Sequence, residues 1–311
     1  MDKTAKGITY KAFGLSIYSY FHLPELNQVT IQDDEVDIVI ENDDLSKLWL
    51  EQVKENEYFF VKKNFILFRV PDVAIFLVKN GKEIIVSPIR TIDEQQIRLY
   101  ILGTCMGAIL LQRNILPLHG SAIAIDGKAY AIVGDSGAGK STLASALLDK
   151  GYKLISDDVI PISFLGNHIP VVTPTYPQQK LWLESLNQFG MESKEFQPIV
   201  LRDTKFAIPV AHQFASNQLP LAGIFELVKN EHDEIAIQSI EKLQRLHTLF
   251  KHTYRNSFII RSGLMQWHFH TTTNIVNKIS FYQLCRPTVR FTAHELSDLI
   301  LSTIKGEEKV I

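Results

Sequence analysis

From residue 8 to about residue 90 the apolar positions alternate with polar ones or gather in short β-branched and aromatic runs, the period of strands. Strand candidates are 36–40, 58–61, 65–70, 74–79 and 82–86. The last two flank Asn80-Gly81, residues that tolerate the left-handed backbone of a tight hairpin. The period then changes: a helix is expected from about Asp93 to Arg113. Strand character returns at 121–125 and 128–133 around Asp126-Gly127, a second hairpin. Leu143, Ala146, Leu147 and Lys150 fall at helical spacing, and Gly151 sits where a C-terminal cap belongs. Residues 153–156 form a strand, 222–228 and 234–240 predict a third hairpin, and helices follow at 243–250 and 294–305. The order predicts an α/β fold with a mixed sheet, divided into a β-rich region 1–92 packed on a domain 93–311.

The second hairpin places chemistry. If Ile125 faces Lys128 across the turn, paired residue numbers sum to 253 and His119 lies opposite Gly134. Gly134-Asp135-Ser136-Gly137-Ala138-Gly139-Lys140-Ser141 fits the pattern G-x-x-x-x-G-K-[ST], with strand before and helix after. Such a loop curls backbone N–H groups around a phosphate at a helix N-terminus, where the dipole also favours an anion. It predicts a site for the triphosphate of ATP extending to Thr142, with Lys140 on the β- and γ-phosphates and Ser141 on Mg²⁺.

The strand at 153–156 follows by a short crossover and should run in the same sense as the strand feeding the loop. Its end carries Asp157 and Asp158 at the edge where the phosphates lie. Neighbouring residues on a strand point to opposite faces, so both carboxylates serve one site only if the chain turns there. The expected division is one carboxylate toward the metal and one toward an attacking hydroxyl. Lys180, Lys205 and Arg255 are candidates for binding phosphate or a peptide carboxylate.

Composition narrows the partners. The chain has 311 residues, 46% apolar and 21% charged, with a net charge of −2, which gives no electrostatic case for nucleic acid or an anionic membrane. Residues 99–111 are apolar but shorter than the roughly 20 residues a spanning helix requires. The first six residues lead into no long apolar segment, so no secretory signal is expected. Cys105 and Cys285 stand far apart without metal-like spacing, which suits a reducing cytoplasm. His268 and His270 have no nearby acidic or cysteine ligand and are read as ordinary histidines.

Leu118-His119-Gly120-Ser121, the hairpin, the phosphate loop and then Gly151-Tyr152-Lys153-Leu154-Ile155-Ser156-Asp157-Asp158 resemble the catalytic core of the HPr kinase/phosphorylases. The resemblance implies a mixed-sheet core of the kind shared with phosphoenolpyruvate carboxykinase. It further implies that His119, Lys140 and Asp158 are catalytic, that Ser141 binds Mg²⁺, and that Asp157 assists at the metal. The family's later signature, with its metal-binding glutamate and arginine-glycine pair, has no counterpart; the chain reads Thr173-Pro174-Thr175-Tyr176-Pro177-Gln178-Gln179-Lys180-Leu181-Trp182 instead. That departure, the chain length and the β-rich first part are similar to the lasso peptide precursor kinases, which implies transfer to the C-terminal serine of a peptide. Open alternatives are HPr or another small protein as acceptor, a nucleotide-binding regulator, and a small-molecule kinase or carboxykinase-like enzyme. The family often forms oligomers, so a homo-oligomer is also implied.

Overall fold

The computed structural model describes residues 7–30, 35–89, 94–199, 202–241 and 243–306. The chain divides into two compact units, Met1–Pro117 with Arg255–Phe269, and Leu118–Tyr254 with His270–Ile311. The boundary expected between residues 92 and 93 falls outside the described residues. The helix that follows it belongs to the first unit, not with the phosphate loop.

In the first unit, β1 (Ile8–Ala12), β2 (Leu15–Ser19), β3 (Asn27–Gln28), β4 (Ile38–Asn42), β5 (Phe59–Lys62), β6 (Phe65–Val70), β7 (Ala74–Lys79) and β8 (Glu83–Pro88) form one sheet in the order β3-β1-β2-β4-β8-β7-β6-β5. Period-two alternation divides its side chains between two faces. Leu67, Leu77 and Ile85 meet Leu45, Leu48 and Trp49 around α1 (Ser46–Gln52). On the opposite face Phe68 stacks on Phe76 at 4.9 Å, and Phe76 meets Tyr100 of α2 (Glu94–Tyr100). Asn80 and Gly81 adopt φ +57° and +64°, but the ladder closes at Lys79 and Glu83, so Lys82 is an extra residue in the turn. The predicted helix is present with an interruption: α2 passes through a buried π-helical turn, Ile101–Cys105, into α3 (Met106–Gln112).

The second unit is built on β9 (Leu116–Ile125), β10 (Lys128–Val133), β11 (Lys153–Leu165) and β12 (Ile169–Val172), with α4 (Lys140–Asp149) after the phosphate loop. Then come β13 (Gln178–Trp182), α5 (Leu183–Gln188), β14 (Gln197–Ile199), β15 (Arg202–Pro209), β16 (Leu219–Asn230), β17 (Ala236–Ser239) and α6 (Leu243–Lys251). Helix α7 (Ser257–Arg261) and the first turn of α8 (Met265–Val276) belong to the first unit, and strand β18 (Ser280–Pro287) and α9 (Ala293–Lys305) complete the second. The main sheet has the order β10-β9-β11-β12-β16-β18-β17, and β10 also pairs with β16, which closes five strands into a ring. Strands β13, β15 and β14 make a separate small sheet.

The mixed sheet agrees with the expected α/β class, and its senses can be followed. Strand β10 is antiparallel to β9 and parallel to β16; β12 is antiparallel to both β16 and β11. Strand β11 therefore runs in the sense of β10, with β9 between them. The third predicted hairpin is corrected: β16 and β17 are not partners, because β18 inserts between them, parallel to β16 and antiparallel to β17. The strand β18 arrives from about 40 residues beyond β17, and no local turn signal announces it. Leu143 and Leu147 of α4 join Leu296 and Ile300 of α9 and Phe225, Leu227 and Leu284 of the sheet in one buried cluster. Each such side chain contributes roughly 1.5–3 kcal/mol by leaving water, enough to hold the helix that carries the loop.

Candidate active site

The hairpin delivers what its turn residues predict. Asp126 and Gly127 adopt φ +48° and +75°, Ile125 faces Lys128, and the ladder continues to Gly120 opposite Val133. The ladder ends there: His119 is the neighbouring residue on β9, and Gly134, the first residue of the loop, follows directly after β10. Gly134 must be glycine: a Cβ there would lie 2.5 Å from the Leu227 carbonyl oxygen, in the neighbouring strand β16. At Gly139, with φ +103°, a Cβ would press on the Arg286 guanidinium, 3.3 Å from Nε. Arg286, at the end of β18, in turn donates from Nε to the Ala138 carbonyl at 2.6 Å.

Lys140 is buried, and its Nζ donates to the carbonyls of Gly134 at 2.9 Å and Asp135 at 3.0 Å. Burial lowers its proton affinity; the carboxylates Asp157 and Asp158 work against that, and the Lys205 ammonium works with it. Asp157 is buried and fully engaged. Its Oδ1 accepts from Ser121 Oγ at 2.6 Å and Ser141 Oγ at 3.0 Å, and its Oδ2 accepts from the Lys180 backbone N–H at 2.9 Å. Ser121 stands two residues after His119 on β9, so both side chains face the same side of that strand.

The turn needed to bring two adjacent carboxylates to one place is found at Asp158 itself. Its φ is +75°, a left-handed conformation in the middle of β11, where an L-residue costs of order 1–3 kcal/mol. Ser156 Oγ donates to the Val159 carbonyl across this kink. The consequence is a second cluster beside the first. Lys180 Nζ lies 2.8 Å from Asp158 Oδ2, and His119 Nδ1 lies 3.4 Å from Asp158 Oδ1 and 3.0 Å from the Asp158 carbonyl oxygen. Burial alone would raise Asp158, but the Lys180 ammonium and the His119 ring outweigh it and hold the carboxyl well below its usual range. Burial alone would lower Lys180; the Asp158 carboxylate reverses that and raises it.

The other residues singled out in the sequence are placed as follows. Thr142 Oγ1 is 2.8 Å from Ser185 Oγ of α5, and Lys205 lies over the Trp182 ring at 5.5 Å. Arg255 belongs to the first unit, where Nη2 donates to Thr104 Oγ1 at 2.9 Å. His268 is buried and pushed down to about 4 by that burial, and no group of three or more metal-ligating side chains occurs among the described residues. Three participants had no signal in the sequence. Lys251 Nζ is 3.1 Å from Asp135 Oδ1, Glu226 Oε1 is 2.8 Å from His252 Nε2, and the His252 carbonyl accepts from the His119 backbone N–H at 2.7 Å. The end of α6 thus touches both the phosphate loop and the strand that carries His119.

A Gly-rich loop opening a helix, a buried lysine inside it and two carboxylates of divided environment form a site suited to binding and transferring a phosphoryl group. The chain is similar to the HPr kinase/phosphorylases. It is 43% identical over 68 residues to the HPr kinase/phosphorylase of Mycoplasmopsis pulmonis, covering 21% of this chain and 22% of that protein. It is 42% identical over 53 residues to the one from Treponema pallidum, 17% of each chain, and 33% identical over 55 residues to the one from Prosthecochloris aestuarii, 18% and 16%. The chain spans about a fifth of the length of these curated relatives. The solved structure of the Hpr(Ser) kinase/phosphatase from Coxiella burnetii aligns with 61% of this chain and 92% of its own, with 17% identity and a TM-score of 0.33. No family model matches the chain. No helix among the described residues is long and apolar enough to cross a membrane.

Proposed function

We propose that the chain is a serine kinase of the HPr-kinase type that transfers the γ-phosphate of ATP to a serine hydroxyl of a peptide, with the C-terminal serine of a lasso peptide precursor as the favoured acceptor. The observation that carries the transfer step is the pair of carboxylate clusters beside the loop, Asp157 bonded to Ser141 and Asp158 held between Lys180 and His119, whereas the acceptor rests on the sequence resemblance. Two carboxylates in different environments beside one phosphate loop support transfer over nucleotide binding alone.

Mg²⁺ fits the first. The Ser141 hydroxyl and the Asp157 carboxylate are hard oxygen donors within 3.0 Å of each other at the helix N-terminus, and they would hold the ion. Mg²⁺ would there neutralise charge on the phosphates. Lys140 would leave the two loop carbonyls for the β- and γ-phosphates. Asp158 would accept the hydrogen bond of the serine hydroxyl and align it. As the serine oxygen bonds to the γ-phosphorus, the bond from that phosphorus to the bridging oxygen breaks, ADP leaves with the electron pair, and the hydroxyl proton passes to Asp158. A carboxylate held below its usual range is a weak base in the ground state, so its proton is taken late, once the oxygen is bonding to phosphorus.

Intact-mass measurement of serine-ended peptides, and of HPr, incubated with Mg·ATP tests the proposal. A gain of one phosphoryl group on the peptide, lost in Asp158→Asn while ATP binding persists, is the expected result. Unchanged transfer in Asp158→Asn refutes the proposed base; transfer to HPr and not to peptides reassigns the acceptor.

A further inference from the structure

The catalytic reading leaves one buried carboxylate of the second unit unused. Glu226 lies in the interior of β16 between the buried Phe225 and Leu227, and is itself 5% exposed. Burying a carboxylate is costly unless its oxygens are supplied with donors, and here they are. Oε1 lies 2.8 Å from His252 Nε2, and Oε2 accepts from Gln283 Nε2 at 3.3 Å and from Thr248 Oγ1 at 3.4 Å. His252 follows α6 directly and is also buried. While its ring is bonded to Glu226, its carbonyl accepts from the His119 N–H at 2.7 Å. The next residues continue the contact, with Thr253 bridged to Leu118 in the antiparallel sense and the Tyr254 ring 5.8 Å from that of His119.

We propose that Glu226 is a positioning residue for phosphoryl transfer: through His252 it fixes the backbone at His119 and so aims the His119 ring at Asp158. The inference rests on the kinase reading given above. Each link is a direct contact: Glu226 to the His252 ring, the His252 carbonyl to the His119 N–H, and His119 Nδ1 to Asp158, 3.4 Å from Oδ1 and 3.0 Å from the carbonyl oxygen. The end of α6 makes the middle link available. The His252 N–H still bonds the Thr248 carbonyl at 3.0 Å, as in the helix, but its own carbonyl lies past the last turn and takes a partner from outside it. The same stretch of β16 serves the phosphate loop: Glu226 is level with Val133, and the Leu227 carbonyl packs against Gly134. One strand thereby supports both the histidine that meets Asp158 and the loop that holds phosphate. A displacement of about 1 Å in such a constellation costs on the order of 100-fold in rate.

Steady-state transfer to whichever acceptor wild type phosphorylates, a serine-ended peptide or HPr, tests this together with calorimetric titration of the full chain with Mg·ATP. Glu226→Leu keeps the bulk of the side chain and removes the oxygens that hold His252. It should lower kcat by about 10- to 100-fold and leave the ATP dissociation constant within about threefold of wild type. Glu226→Gln keeps an oxygen that accepts from the ring and should restore most of kcat. In a His119→Ala background the change Glu226→Leu should alter kcat by less than about threefold, because its effect runs through His119. Glu226→Asp keeps the charge but draws it back from His252; it should give an intermediate loss, and it carries the test if Glu226→Leu does not fold. An unchanged kcat in Glu226→Leu and Glu226→Asp, or a loss as large without His119 as with it, overturns the proposal. So does an equal loss of ATP binding, which marks a merely structural role. A wild type that phosphorylates neither acceptor fails at the kinase reading itself, which separates the two failures.

Discussion

Removing Lys180 tests the ion pair at the centre of the site. In Lys180→Met the side chain keeps its length and loses its charge, so Asp158 loses the partner at 2.8 Å and keeps only His119. The Lys180 side chain is 10% exposed and that of Asp158 24%, which places the pair among buried rather than surface ion pairs. At an effective dielectric constant of about 20 the Coulomb attraction at this separation is ~6 kcal/mol. Desolvation of both groups offsets much of it, and breaking such a pair from one side costs about 3–5 kcal/mol, mostly because a charge is left behind. The remaining exposure of Asp158 puts the expectation near ~3 kcal/mol.

The pH dependence follows from the shifts. Asp158 has a folded pKa below its unfolded value, so its contribution is present above about pH 4 and lost as pH falls through the folded value. Lys180 has a folded pKa above its unfolded value, so its contribution is present below about pH 10 and lost only as pH rises further. The pair therefore stabilises across the neutral range. In Lys180→Met the pKa of Asp158 rises, so the deficit against wild type should shrink as pH falls toward 4 to 5 (about the ordinary carboxylate range). Urea unfolding of wild type, Lys180→Met, Asp158→Asn and the double variant at several pH values reads both effects. Lys180→Met should cost much more stability in the wild-type chain than in one that already carries Asp158→Asn. Equal losses in both backgrounds, or a deficit independent of pH, would refute the account of Asp158 as a carboxylate held by Lys180.

Two further outcomes are expected. Ser121→Ala removes the 2.6 Å donor to Asp157 and should cost about 1–3 kcal/mol; if Asp157 serves a metal, the variant should also need more Mg²⁺ for half-maximal transfer, read by titrating Mg²⁺ at fixed ATP. Gly134→Ala forces a Cβ to 2.5 Å from the Leu227 carbonyl and should abolish nucleotide binding with a loss of several kcal/mol (about the range for overpacking or more), read by calorimetry and thermal unfolding.

The parts of the site legible in the sequence are those fixed by local chemistry. Asp126-Gly127 determines a two-residue turn, the turn determines a register, and the register runs to Gly120 opposite Val133, the residues next to His119 and to the loop. The loop glycines announce themselves by spacing for the same local reason. What stayed hidden depends on pairing over distance. Nothing in the composition of 178–182 says that Lys180 reaches Asp158 from another sheet, or that β18 separates β16 from β17. Asp158 shows a third limit: the sequence showed that a turn was needed between two carboxylates, but not that the second would itself take the left-handed backbone. Lys251 and His252 were concealed by ordinary helical periodicity, since their task begins only where α6 ends.

The ring of five strands also sets an order of assembly. Strand β10 meets β9 across two residues, a contact that can form in microseconds as a hairpin, whereas its other neighbour β16 lies about 90 residues later. Closing so long a loop is slow and is rewarded only when the partner edge is ready. On an emerging chain the phosphate loop would therefore exist for some time with one wall: Gly134 would lack the Leu227 carbonyl it packs against, and Arg286, later still, would not yet brace Ala138. The loop most visible in the sequence is made early, yet its binding shape is among the last things the chain completes.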